Sequence, residues 1–195
     1  MAAARVIPDP SDDGRPLGRL AAGSALRLRE AARGTAAGGR AELLGRPGTL
    51  AAGLRAAPHI PPRLREALAL AAEGERPIRT VEKLAGTAGC DRRTLWNQWK
   101  QAVGRDAPVR LQDFLHWLLL LRAAAGKGAG RPWAEVADEV GVHPHTLGRL
   151  ARQLTGHTLR ELSAGGAALV RGRFEAEVLP YLLGGPRPPR LRAMD

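Results

Sequence analysis

The sequence predicts an all-α chain in which two helix-turn-helix units are joined by one connecting helix, preceded by a loosely structured N-terminal region and followed by an extra C-terminal helix. Three observations predict it. Apolar residues recur at helical spacing in successive short segments from Pro61 onward, and no stretch alternates polar and apolar residues as a half-buried strand would. Residues 81–104 also align with residues 133–156 at a fixed offset of 52 positions.

Residues 1–57 are dominated by Ala, Gly, Arg and Leu, with Pro8, Pro10, Pro16 and Pro47 as breaks. Leu20, Ala21, Leu26 and Leu28 fall roughly on one side of a helix, but Gly18, Gly23 and Gly34 weaken it, so this region is expected to carry little structure. Pro61-Pro62 then opens a helix, because proline suits a first turn and Leu64, Ala67, Leu68 and Ala71 share a face until Gly74. A short helix over 80–87 follows with Thr80 as N-cap; Lys83 in the third position leaves the capping box absent. Asp91 caps a third helix, which runs to Val103 before Gly104 stops it.

The fourth helix, 109–125, is the most apolar stretch, and Leu111, Phe114, Leu115, Leu118, Leu121 and Arg122 mark a wide inward face. It is expected to be a central strut. Helices at 133–140 and 144–154 come next, the second opened by Pro144, and then a short one near 159–163. After Gly165-Gly166, Val170, Phe174, Val178 and Leu182 recur every fourth residue and predict a last helix up to residue 183. The expected organisation is therefore 1–57 with low structure, 58–165 as the double unit, 166–184 as the C-terminal helix, and 185–195 as a disordered tail with Arg187, Arg190 and Arg192 among prolines.

The repeat carries most of the argument. Its identical pairs are Ala85/Ala137, Gly89/Gly141, Thr94/Thr146, Leu95/Leu147, Gln101/Gln153 and Gly104/Gly156. Two helices that cross steeply need a small residue where they touch, a glycine where the turn takes positive φ, and apolar side chains around the crossing. Ala85 and Ala137 are placed at the contact and Gly89 and Gly141 at the turn. Cys90 and Val142 fill the corner, and Leu95 and Leu147 anchor the second helix from beneath. The pattern occurs twice in the same phase, which two short helices joined by a chance glycine would not show.

The run Thr80-Val81-Glu82-Lys83-Leu84-Ala85, continued by Gly89-Cys90-Asp91-Arg92-Arg93-Thr94-Leu95-Trp96-Asn97-Gln98-Trp99-Lys100, resembles the first unit of the AraC/XylS-type regulator family. Gly141-Val142-His143-Pro144-His145-Thr146-Leu147, with Gly156-His157-Thr158-Leu159-Arg160, is similar to the second unit and its exit. The resemblance covers residues 61–163. It implies a sequence-specific DNA-binding transcription regulator, with double-stranded DNA as partner and RNA polymerase or another regulator as protein partners. The chain departs from the family in having Gly148 and Ala151 in the second unit where the first has Trp96 and Trp99. The 57 residues before the first helix are too few for the large sensor domain of many members, and the C-terminal helix is an addition.

A recognition helix presents its N-terminal and outward positions to the groove, here Arg92, Arg93, Trp96, Asn97 and Lys100. Arg93 and Asn97 share a face at i, i+4, and can take guanine and adenine through paired hydrogen bonds, so they are the expected base readers. Trp96 is expected to contact sugar, a thymine methyl or Arg92, with core packing as the competing reading. In the second unit Arg149 and Arg152 are expected to hold phosphates and His145 to contact a base or phosphate. The competing reading of all these polar groups is a solvated surface.

Composition agrees with a polyanionic partner, since the formal net charge is +11, although the near-exclusive use of Arg over Lys reflects a coding bias that inflates the charge. Two other classes remain open: a non-specific accessory or nucleoid DNA binder, and a protein-interaction adaptor with a degenerate second unit. Neither an enzyme nor a cofactor is expected, because the chain shows no phosphate-binding glycine loop, no paired carboxylates in an apolar setting and no nucleophile beside a base. His143 and His145 lack a third ligand nearby, so no metal site is expected. The single cysteine, Cys90, excludes an internal disulfide. No apolar run nears the ~20 residues of a membrane span and no signal-peptide core is seen, so no membrane partner and a cytoplasmic location are expected.

Overall fold

Each helical signal after Pro61 has a counterpart in the computed structural model, which describes residues 47–128 and 130–184. Every regular element among the described residues is an α-helix. The expectations for residues 1–46 and for the tail 185–195 lie outside the described residues.

The first helix, α1 (Pro47–Arg55), corrects the expected boundary at residue 57. Leu50, Ala51, Leu54 and Ala57 are buried, and α1 packs against α2 (Pro62–Glu73), whose own inner face is Leu64, Ala67, Leu68, Ala69, Ala71 and Ala72. Glycines at 48 and 53 lower the intrinsic helix propensity, but propensity is a weak term beside the burial of two leucines, each contributing about 1.5–3 kcal/mol. Arg55 forks to Glu73 (2.6 and 2.8 Å) and Glu66 (3.2 and 3.3 Å), so α1 is tied to α2 by charge as well.

The first unit consists of α3 (Val81–Thr87) and α4 (Arg92–Val103), the second of α6 (Trp133–Glu139) and α7 (Pro144–Thr155). Thr80 Oγ1 accepts from the N–H of Lys83 at 3.2 Å and Asp91 Oδ1 from that of Thr94 at 2.8 Å, so both expected caps are formed. The two turns repeat bond for bond. Cys90 N donates to Ala85 O (3.1 Å) and Val142 N to Ala137 O (2.9 Å); Gly89 N donates to Gly86 O (3.2 Å) and Gly141 N to Asp138 O (2.8 Å). Both turn glycines have positive φ, +60° and +70°, which a side chain would strain. Ala85, Ala137, Leu95 and Leu147 are all buried, as the repeat required.

Between the units runs α5 (Leu111–Gly126), which packs against α2, α3, α6, α7 and α8. Being surrounded, it has no single inward stripe. Leu118 and Leu121, expected inside, are only partly buried, while Trp117, Leu119, Leu120, Ala123 and Ala124 are buried beside Leu111, Phe114 and Leu115. Arg122 is half-buried for a polar reason: its guanidinium donates to the carbonyls of Gly74 and Glu75 (2.9 Å to the latter) just past the end of α2.

Helix α8 (Leu159–Glu177) begins with the Thr158–Glu161 capping box and is interrupted at Gly166 (φ 65°, ψ −172°), where the sequence placed a break. It is followed by the single turn α9 (Leu179–Leu182). This C-terminal part is not the separate addition that a boundary at residue 165 implies. Val170, Phe174, Val178, Leu179 and Leu182 are fully within the core. Phe174 lies 6.3 Å from the Phe114 ring and 5.8 Å from Trp117, and Phe114 lies 5.7 Å from Trp99, so aromatic packing runs from α8 through α5 into the second helix of the first unit. His59 Nε2 hydrogen-bonds the carbonyl of Leu182 at 2.8 Å, bringing the segment after α1 to α9. Among the described residues no helix is long and apolar enough to cross a membrane.

Candidate nucleic-acid interface

Burial of Leu95 and Trp99 fixes the rotation of α4. With those two side chains inward, Arg92, Arg93, Trp96 and Asn97 are exposed and Lys100 is half-exposed. Trp99 is held by a hydrogen bond from its Nε1 to Val109 O at 3.0 Å, which anchors α4 to the loop before α5. Trp96 is 48% exposed and so is not a core residue. Its ring carries Lys100 Nζ at 4.0 Å from the centroid, a cation–π contact. The Arg92 guanidinium pairs with Glu82 on α3 at 2.7 Å. The side chains of Arg93 and Asn97 have no hydrogen bond or ion pair among the described residues.

The same rotation holds in the second unit, where Leu147, Leu150 and Ala151 are buried and His145, Arg149 and Arg152 are exposed. Ala151 is the counterpart of Trp99 and is equally inward, so the aromatic-to-alanine departure changes core volume rather than the outer face. Gly148 is the counterpart of Trp96. A Cβ built on it would lie 3.7 Å from Leu159 Cδ1, so the position sits against the start of α8. His143 caps α7, its Nδ1 accepting from the N–H of His145 at 3.2 Å.

A polar bridge links the units. Arg79, just before the Thr80 cap, donates from its guanidinium to Gly141 O in the second turn, and its own carbonyl accepts from Gln112 Nε2 at 2.8 Å. Gln112 also meets His116 Nε2 at 2.8 Å. Burial holds the His116 pKa below its ordinary value; Asp113 opposes this and the charge of Arg149 adds to it. His116 therefore has Gln112 as a neighbour along α5 and feels Arg149 on the outer face of α7.

Two cations that sequence reasoning passed over stand beside α4. Arg105 and Arg110, both exposed, flank the loop between α4 and α5 and line one groove with Arg92, Arg93 and Lys100. The signal available in the sequence was a basic loop, containing Pro108, directly after the basic helix α4. The sequence-assigned residues thus fall into two exposed sets, Arg92, Arg93, Trp96, Asn97 and Lys100 on α4, and His145, Arg149 and Arg152 on α7. No protein-family model, no curated protein and no solved structure matches the chain.

Proposed function

We propose that the protein is a sequence-specific DNA-binding transcription regulator of the kind the AraC/XylS resemblance implies, inserting α4 and α7 into successive major grooves. The observation that carries this reading is the double turn: two units 52 residues apart share their backbone hydrogen bonds and turn glycines, and each leaves the outer face of its second helix exposed and basic. In such a complex Arg93 and Asn97 read base edges, while Lys100, Arg149 and Arg152 meet phosphates. The test is selection of bound duplexes from a random pool. An enriched motif that resists competition by bulk DNA supports the reading, and an unenriched pool overturns it.

A second reading, a non-specific accessory DNA binder, is favoured by the outer face of α7. It offers Arg149, Arg152 and His145, with Gly148 at the central position and its one exposed amide, Gln153, set back in the last turn. Binding that loses to bulk DNA and falls steeply with salt is its signature.

A further inference from the structure

We propose that Gln112 and His116 form a proton-sensitive latch between the two units, in which a proton taken up at His116 Nε2 releases Gln112 from the carbonyl of Arg79 and loosens the Arg79 bridge to Gly141. The two side chains lie one turn apart on α5, and their donor and acceptor roles are fixed by chemistry. The Arg79 carbonyl can only accept, so the amide group facing it at 2.8 Å is the donor, Gln112 Nε2. The same nitrogen lies 2.8 Å from His116 Nε2 and can only donate there as well. His116 Nε2 is therefore the acceptor, and the neutral ring carries its proton on Nδ1. That atom is buried with no hydrogen-bond partner among the described residues, so Gln112 is the ring's hydrogen-bonded hold on the fold.

A second proton on the ring makes both nitrogens donors. Nε2–H then faces an amide N–H across 2.8 Å with no acceptor between them. Turning the Gln112 amide over brings Oε1 to that point, where it accepts from the ring but repels the Arg79 carbonyl. The turned amide wins, because a hydrogen bond from a charged donor is roughly twice as strong as the neutral one given up, and the exposed Arg79 can turn its carbonyl to water. Arg79 then keeps its guanidinium contact with Gly141 but loses the bond that holds its backbone to α5. The charges that act on the ring are Asp113 on α5, which favours the proton, and Arg149 on α7, which opposes it together with burial. None from α2, α3, α6 or α8 is among them, and the Arg79 guanidinium is turned to Gly141. The latch therefore opens below pH 6.5. Its effect on DNA affinity rests on the DNA-binding reading; the latch itself does not.

The experiment records proton–nitrogen NMR spectra of the full chain, without DNA, between about pH 7.5 and 5. At the upper end the His116 ring is expected as the Nδ1–H tautomer. As pH falls, the His116 ring and the Gln112 side-chain amide are expected to titrate together, with one midpoint below 6.5. The backbone N–H of Thr80, next in the chain to the Arg79 carbonyl, is expected to shift with that same midpoint. In Gln112→Met, which keeps the length and lacks the amide, the Thr80 response is expected to vanish while His116 still titrates, with circular dichroism confirming the fold. A neutral ring protonated on Nε2, or a Gln112 amide indifferent to the His116 titration, overturns the latch in the unaltered chain, as does a Thr80 response that survives in folded Gln112→Met. Duplex titrations at constant salt, paired with His116→Gln to cancel every other titrating group, test the regulatory half separately. Acid is expected to weaken binding of the selected duplex about three-fold more in the unaltered chain than in His116→Gln, the loss of one neutral hydrogen bond. The added positive charge itself favours phosphate, so equal or tighter binding in acid overturns the regulation, whereas a chain that shows the latch but binds no duplex sinks the DNA reading and leaves the latch standing.

Discussion

The guanidinium of Arg79, one residue ahead of the cap of the first unit, donates to the carbonyl of Gly141, the turn glycine of the second. The two units are thus joined by a direct bond between the entry of one and the turn of the other, besides the apolar packing of α5. Gln112 completes the link by donating to the Arg79 carbonyl. An exposed bond of this kind adds little to stability, but in the proposed complex it holds the relative placement of the two helices that meet DNA. Arg79→Ala is expected to cost about 1 kcal/mol or less in urea denaturation. It is expected to weaken binding of the selected duplex at least about five-fold through reduced preorganisation, on the order of 1 kcal/mol. Unchanged duplex affinity would show that the bridge does not orient the units.

The burial of α1 yields a prediction about truncation. A chain beginning at residue 47 keeps Leu50, Ala51, Leu54 and Ala57 in the core, whereas a chain beginning at residue 58 lacks all four and the Arg55 fork to α2. The shorter chain is expected to be less stable by at least ~3 kcal/mol, since removal of one buried leucine side chain alone costs about 2–5 kcal/mol. Paired thermal melts of the two chains check this, and equal melting temperatures would contradict the packing of α1.

Leu95 and Leu147 occupy equivalent positions in the repeat and are both fully buried. Each Leu→Ala change is expected to cost about 2–5 kcal/mol. Destabilisation under ~0.5 kcal/mol at both sites would contradict their role as anchors.

His116 makes the fold sensitive to mild acid. Its folded-state pKa lies below the ordinary 6.5, chiefly through burial, so the unfolded chain binds the proton more readily. Stability is therefore unaffected well above pH 6.5, falls as pH drops below 6.5, and stops falling from this cause once pH is below the folded-state pKa. His116→Gln is expected to flatten that part of the profile, read as urea midpoints between about pH 7.5 and 5, above the range where the carboxylates titrate. An unchanged slope would remove His116 as its source.

How much of this was legible in the sequence depended on how local each signal is. Thr80, Asp91, the turn glycines and the leucine anchors act within one or two helical turns, and each was readable from its neighbours. Helix α1 was not, because Leu50 and Leu54 gain their burial from partners elsewhere in the chain, and Ala, Gly and Arg around them carry no periodic contrast. Arg122 was misread as one of an apolar face because its value lies in two carbonyls of the α2 end, 47 and 48 positions back. Arg105 and Arg110 were passed over because a loop arginine has no periodicity; only the fold brings both beside α4.

The last prediction concerns the unequal outer faces of α4 and α7. On α4, Arg93 and Asn97 are exposed and unpaired among the described residues, one turn apart, and both side chains can form two parallel hydrogen bonds to a base edge. On α7 the matching positions are His145 and Arg149, Gly148 sits against Leu159, and Arg152 lies in the last turn. In the proposed DNA complex, base reading is therefore expected to fall to α4 and backbone holding to α7. Arg93→Ala or Asn97→Ala is expected to cost about 1–3 kcal/mol on the selected site and to blur its preference at one or two base pairs. Arg149→Ala or Arg152→Ala is expected to weaken binding to all sequences alike and to lower the salt slope by about one unit for each phosphate no longer neutralised. Titrations of each variant against the selected and a scrambled duplex at several salt concentrations separate the two effects. If Arg149→Ala shifts base preference while Arg93→Ala and Asn97→Ala leave it intact, α7 is the reading helix and α4 the holder.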